Sequence, residues 1–211
     1  GGSGNGRRFW NVYDAAGRTW SRLLPVPLFE GQGQRNAYPS GPTMGPDGRY
    51  HLIWVWRDTP DCATNHDLSY ARSGDLVHWQ TAAGQAVELP MMLGTKGLVV
   101  DPAPSGGGMI NGGQRLVFDS SNRPMIAYHK SDANGNMQIY VARFDGSQWR
   151  RRAITSWDKP VKFSGGGAMP FIGIRIGEPQ PAGGGVWRVG YRHRDYGSGA
   201  AWFREDTLEP A

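Results

Sequence analysis

A β-propeller, an all-β ring of four-stranded antiparallel blades, is the fold predicted for this 211-residue sequence, and three observations carry the prediction. The chain holds 32 Gly and 15 Pro, so turns are frequent. Its 9 Trp, 8 Tyr and 7 Phe are too many for a disordered chain. No segment of ten or more residues shows the 3.6-residue apolar period of a helix, whereas several short ones alternate with the period of two expected of strands. Such a pattern fits a sandwich, a barrel or a propeller, and internal repetition selects the propeller.

The repeated elements run as follows. Phe9-Trp-Asn-Val-Tyr13 reads as a strand and leads to Asp14, Gly17, Thr19 and Trp20. After the turn signal Pro46-Asp47-Gly48 comes Leu52-Ile-Trp-Val-Trp-Arg-Asp58, then a second strand, His66-Asp-Leu-Ser-Tyr-Ala-Arg-Ser73, which ends at Asp75 and Trp79. After Ser120 to Pro124 the same order returns: Ile126-Ala-Tyr-His-Lys-Ser-Asp132, then Met137-Gln-Ile-Tyr-Val-Ala-Arg-Phe144, Asp145 and Trp149. Val189-Gly-Tyr-Arg-His-Arg-Asp195 begins a further copy. Asp58, Asp132 and Asp195 align, and so do the aromatics Trp54, Tyr128 and Tyr191. In each Asp-turn-Trp unit the Asp is expected to cap the amides of a tight hairpin and the Trp to pack between blades.

These spacings place blades at residues 1–27 (partial), 38–89, 112–158 and 171–209 (partial) of one domain, a little over three in all. The aligned Asp residues stand farther apart than the ~40 to 50 residues of compact blades, and the surplus falls in loops near residues 90–108 and 156–169. Long loops on a rigid scaffold are where binding and catalysis concentrate. Propellers close with ~4 to 8 blades, so the chain is expected to be part of a larger ring, or to be completed by a second copy.

Other features narrow the class of function. No stretch approaches the roughly 20 apolar residues that cross a bilayer, so no membrane partner is expected. The chain starts at Gly1 without Met or a signal sequence, and a leader or N-terminal region is expected to precede it. A lone Cys62 forms no internal disulfide and no zinc spacing exists. The net charge of +5 favours an anionic partner, nucleic acid or acidic polysaccharide. Only Arg150, Arg151 and Arg152 form a compact basic run, read here as a solvated face, so nucleic acid is not expected. HExxH and GxSxG are absent, no cofactor is required, and a structural Ca²⁺ at the Asp-rich blade ends has no loop motif behind it.

The segment Thr64-Asn-His-Asp-Leu-Ser-Tyr-Ala-Arg-Ser-Gly-Asp-Leu-Val-His-Trp79, the Tyr128-His-Lys-Ser-Asp132 segment, Ser164-Gly-Gly-Gly167 and the Asp-turn-Trp units together resemble the BNR-repeat family of seven-bladed propellers. That family includes ulvan-type polysaccharide lyases and enzymes that cleave rhamnose linked to glucuronic acid. The resemblance implies a groove for an acidic polysaccharide, a secreted or periplasmic location, and cleavage by β-elimination. A hydrolase of the same fold, or a non-catalytic glycan-binding module, is the alternative. Hydrolysis by two facing carboxylates has candidates in Asp67, Asp75 and Asp132, but no motif singles them out.

An eliminating enzyme needs a donor for the uronate carboxylate, a base for the C5 proton and an acid for the departing O4. On the resemblance, His66 is the first candidate base, with Asn65 beside it, and Tyr128 and His129 are the further catalytic candidates. Asn65, Lys130, Arg143, Arg192 and His193 are candidates for binding the anionic substrate. Alternation puts Tyr128 and Lys130 on one strand face and His129 on the other. Arg143 and Arg72 hold equivalent places after Ala in two blades, which also suits a repeated structural role.

Overall fold

The computed structural model describes residues 6–211; residues 1–5 of the first partial blade lie outside it. Among the described residues the only helical element is a single 3-10 turn, Cys62–Thr64, and every other regular element is a strand. All strand pairings within the sheets are antiparallel, and successive sheets stack side by side as blades.

The first sheet runs β5 (Asn36–Met44), β6 (Tyr50–Arg57), β7 (Asn65–Ser73), β8 (Trp79–Gln80) and β9 (Ala86–Val87). Four short strands precede it. β1 (Arg7–Arg8) pairs with β4 (Phe29–Glu30), and β2 (Asn11–Asp14) with β3 (Thr19–Arg22). The β2–β3 hairpin is exposed along its whole length, so this copy of the repeat is present only as two outer strands. β8 stops after two residues and leaves part of the β7 edge unpaired. Backbone groups there need partners, and β10 (Val99–Asp101), from within the expected loop 90–108, supplies them.

The second sheet is regular, β11 (Arg115–Phe118), β12 (Pro124–Ser131), β13 (Met137–Phe144) and β14 (Trp149–Ala153). In the third, β15 (Ile174–Ile176) and β16 (Gln180–Gly183) share one edge of β17 (Val186–His193), and β18 (Gly197–Arg204) takes the other. This sheet is therefore three strands deep where four are expected of a full blade.

Period-two alternation builds the cores between sheets. Leu52, Trp54 and Trp56 face the N-terminal segments, with Leu28, Phe29 and Met91, while Ile53 and Val55 face the second sheet. Ile126 and Tyr128 return that contact, and Met125 and Ala127 pack toward Val189 and Phe203 of the third sheet. Trp54 and Trp56 are each 1% exposed. An aromatic side chain buries ~150–250 Å², which at roughly 25 cal/mol per Å² is about 4–6 kcal/mol of transfer free energy before conformational entropy is subtracted.

The Asp-turn-Trp units act as expected in two copies. Asp75 accepts the Val77 and His78 amides at 2.8 and 2.7 Å, and Asp145 those of Ser147 and Gln148 at 3.0 and 2.9 Å. Trp149 packs edge-on to Tyr70 across the first interface, and Trp79 against Trp10. In the hairpin copy Asp14 caps Ala16, but Trp20 is 70% exposed. The aligned Asp residues differ in use: Asp132 caps its own turn, whereas Asp58 pairs with His66 and Arg35. The tight turns, including those at Asp47, Asp75, Asp119 and Asp145, occupy one end of the sheets. The longer connections around residues 58–64, 102–114 and 154–173 gather at the other, together with the tight turn at Asp132.

Candidate functional site

At that loop-bearing end a cavity of about 270 Å³ opens between the inner strands of the second and third sheets, reaching Arg57 of the first. His129, near the end of β12, stands in its wall. The ring is 3% exposed, and Nδ1 lies 2.9 Å from the Gly108 carbonyl. A carbonyl only accepts, so Nδ1 carries the proton and Nε2 keeps its lone pair. Gly113 borders that atom: a Cβ there would stand 3.1 Å from Nε2. Burial lowers the imidazole pKa to about 4, the Arg115 charge adding to the effect and the bond to Gly108 opposing it. His129 is thus a neutral imidazole across the physiological range.

Three guanidinium groups share the wall: Arg57 at the end of β6, Arg115 at the start of β11 and Arg175 in β15. Arg57 is held by the Thr59 and Pro60 carbonyls and by Asn111 Oδ1, beneath the Tyr38 ring. Arg115 Nη1 donates to the carbonyls of Gly112 and Gln114 at 2.7 and 2.8 Å. Arg175 Nη2 reaches Pro170 O at 3.3 Å. The wall contains no carboxylate among the described residues. Chemically the cavity offers cations for an anion and one unprotonated nitrogen.

Of the other candidates, Asn65 adjoins this cavity: it is fully buried, and Nδ2 donates to Cys62 O and to Asn111 Oδ1. His66 points to the opposite sheet face. Simple alternation would set it with Leu68 and Tyr70, facing the second sheet. A bulge at Asp67, with φ of 47°, shifts the register so that His66 pairs with Trp56 and Asn65 with Arg57. His66 Nδ1 then meets Asp67 Oδ2 at 2.7 Å and Nε2 meets Asp58 Oδ1 at 2.9 Å. Burial works to lower its pKa, but the two carboxylates outweigh burial and raise it. Both nitrogens are occupied, so His66 has no free lone pair for a substrate proton.

Tyr128 and Lys130 share a face as alternation requires, and both meet Asp101, at 2.6 and 2.7 Å. Arg151 adds a third contact at 3.2 Å. Tyr128 is fully buried and its phenol pKa is pushed up by burial and by Asp101, which withdraws it from the groove expected for it. Lys130 is engaged by the same carboxylate. Arg143 is 3% exposed, at the tight-turn end, where it donates to the Glu205 and Asp206 carbonyls and lies 3.8 Å from Asp119. Its position ties the second sheet to the C-terminal turn and keeps it from a ligand on the opposite end. His193 is buried against Trp157 and accepts the Asp195 amide at Nδ1. Arg192 is exposed over the Phe171 ring, which itself lines the cavity.

Sequence reasoning did not single out Arg57, Asn111, Arg115 or Arg175. Arg57 had a usable signal: it directly precedes the aligned Asp58, at the strand end that meets the long loops. Asn111 comes from a connection whose course no periodicity fixes, and Arg175 from β15, three residues long and too short for the alternation to stand out.

Stacked antiparallel sheets with Asp-capped hairpins and intersheet Trp residues define a β-propeller architecture, here a partial one. The chain belongs to the BNR repeat-containing family, whose match spans residues 1–157. Among solved structures it is similar to a polysaccharide lyase, an ulvan lyase bound to -[GlcA(1-4)Rha3S]-, with a TM-score of 0.59 and 11% identity over 96% of this chain and 48% of that one. An ulvan lyase structure described without that ligand gives 0.58 and 11%, over 98% and 49%. The chain therefore spans about half the length of these structures, and at such identity what they share with it is the fold. No curated protein matches the sequence.

Proposed function

We propose that the chain supplies the reaction centre of a carbohydrate-active enzyme that cleaves a uronic-acid-containing polysaccharide by β-elimination. The observation that carries this reading is the neutral His129 in a cavity walled by three arginines and, among the described residues, no carboxylate. In the proposed reaction an arginine holds the substrate carboxylate and stabilises the charge that develops on it, which is what makes the C5 proton removable. His129 Nε2 takes that proton, the C4–C5 double bond forms as the C4–O4 bond breaks, and the imidazolium returns the proton to O4. A depressed pKa keeps the base unprotonated beforehand and makes its conjugate acid a ready donor. A two-carboxylate hydrolase would need a facing acidic pair, which this wall does not offer. The similar structure that binds glucuronate linked to rhamnose supports a glucuronate-containing substrate.

A polymeric substrate places the enzyme outside the cytoplasm, secreted or periplasmic. Among the described residues no helix is long and apolar enough to cross a membrane. The test is incubation with glucuronate–rhamnose polymers, following ultraviolet absorbance of the unsaturated uronate and, separately, new reducing ends. Elimination predicts that both rise together and that His129→Ala abolishes both. Reducing ends without absorbance would overturn elimination in favour of hydrolysis, and neither signal would leave a binding module.

A further inference from the structure

The cavity has a wall that bears on how a polymer could enter it. Residues 163–167 leave the second sheet's connection and cross to the 3-10 turn of the first sheet. There the Gly165 amide donates to Asp61 Oδ1 at 2.9 Å, and the Cys62 amide donates to Gly165 O at 2.6 Å. Asp61 is itself fixed, since the same oxygen accepts the Ala63 amide at 2.9 Å. The fit is close enough to require glycine. A Cβ on Gly166 would stand 2.7 Å from the Pro60 carbonyl, and Gly165 has φ of 104°.

This strap separates two cavities. On one side Gly167 lines the space that contains His129 and the arginines. On the other, Phe163 and Lys162 line a second space of about 320 Å³ with Gly108 and Ser131. The strap thus stands between the His129 cavity and the second space, held to the first sheet by its bonds to Asp61 and Cys62. The His129 cavity's volume of about 270 Å³ falls just below the ~300–1,000 Å³ typical of ligand pockets, room for a sugar unit or two.

We infer that residues 163–167, pinned by Asp61, make the cavity a chain-end pocket, so that the enzyme releases short products from a polymer terminus instead of cutting internally. The inference rests on the function proposed above, and the experiment separates the two. Wild-type protein is incubated with a glucuronate–rhamnose polymer, and solution viscosity and product size are followed against absorbance. Terminal action gives mono- or disaccharide products from the first time points while viscosity barely falls. Asp61→Ala removes the acceptor for Gly165 and is expected to shift products toward longer oligomers with an early loss of viscosity. Asp61→Asn keeps a carbonyl oxygen for the Gly165 amide and is expected to retain the terminal products, which guards against reading a folding defect as a change of mode. Early viscosity loss in the wild type, or unchanged terminal products from Asp61→Ala, would overturn the strap's role while leaving elimination standing. Absence of any cleavage would overturn the proposed function and this inference with it.

Discussion

Replacing His129 by Asn should change how the fold responds to acid, by an amount the structure sets. The imidazole titrates at about 4 in the folded chain against 6.5 for its ordinary value. Between those values the unfolded chain binds a proton that the folded chain refuses, so stability is lost as pH falls from 6.5 toward 4 and the full loss is reached below both. For one group with these two pKa values, going from about pH 7 to about pH 4.5 removes on the order of 2 kcal/mol. At urea slopes of ~2–3 kcal/mol per molar this lowers the midpoint by roughly 1 M. The amide side chain in His129→Asn retains an N–H for the Gly108 carbonyl but has nothing to titrate. Carboxylates held below their usual range, such as Asp47 and Asp132, also contribute to acid lability, but equally in both proteins. The measurement is therefore the difference between wild type and variant in their urea midpoints at about pH 7 and about pH 4.5. Equal pH dependence in the two proteins would refute a neutral, buried His129, and with it the unprotonated base on which the proposed chemistry depends.

His66 should act with the opposite sign. Burial opposes its charge, but Asp67 and Asp58 outweigh burial and raise the folded pKa, so its contribution is complete below 6.5 and is lost as pH rises through the folded value; His66→Gln should remove that alkaline loss in thermal melts. Trp79→Ala should cost about 3–5 kcal/mol in urea unfolding, because Trp79 is 2% exposed, whereas Trp20→Ala should stay within ~0.5 kcal/mol despite its equivalent place in the repeat. Arg143→Ala should destabilise by about 1–3 kcal/mol, since it strips the Glu205 and Asp206 carbonyls of a charged donor while Asp119 keeps Arg123, without changing ligand affinity measured by titration calorimetry.

How far the sequence could be read follows from which of these features are local. Asp75 and Asp145 cap amides two and three residues ahead, so the hairpins and their phase were legible, and the alternation that joins Tyr128 to Lys130 held along a regular strand. Alternation would not have placed His66, because one residue, Asp67, takes a left-handed conformation and inserts a bulge, which exchanges the faces of Asn65 and His66. Nothing in a period-two pattern announces such an insertion. The partner of Tyr128 and Lys130 was equally hidden: Asp101 arrives on β10, a strand that pairs with the part of β7 beyond the end of β8. The consequence reaches the chemistry. The bulge sends the His that sequence favours into a carboxylate pair, and the unbulged β12 delivers His129 to the cavity with one nitrogen bonded and one free. Which histidine keeps a ring nitrogen without a carboxylate partner was decided by strand register, a property that residue identity alone does not carry.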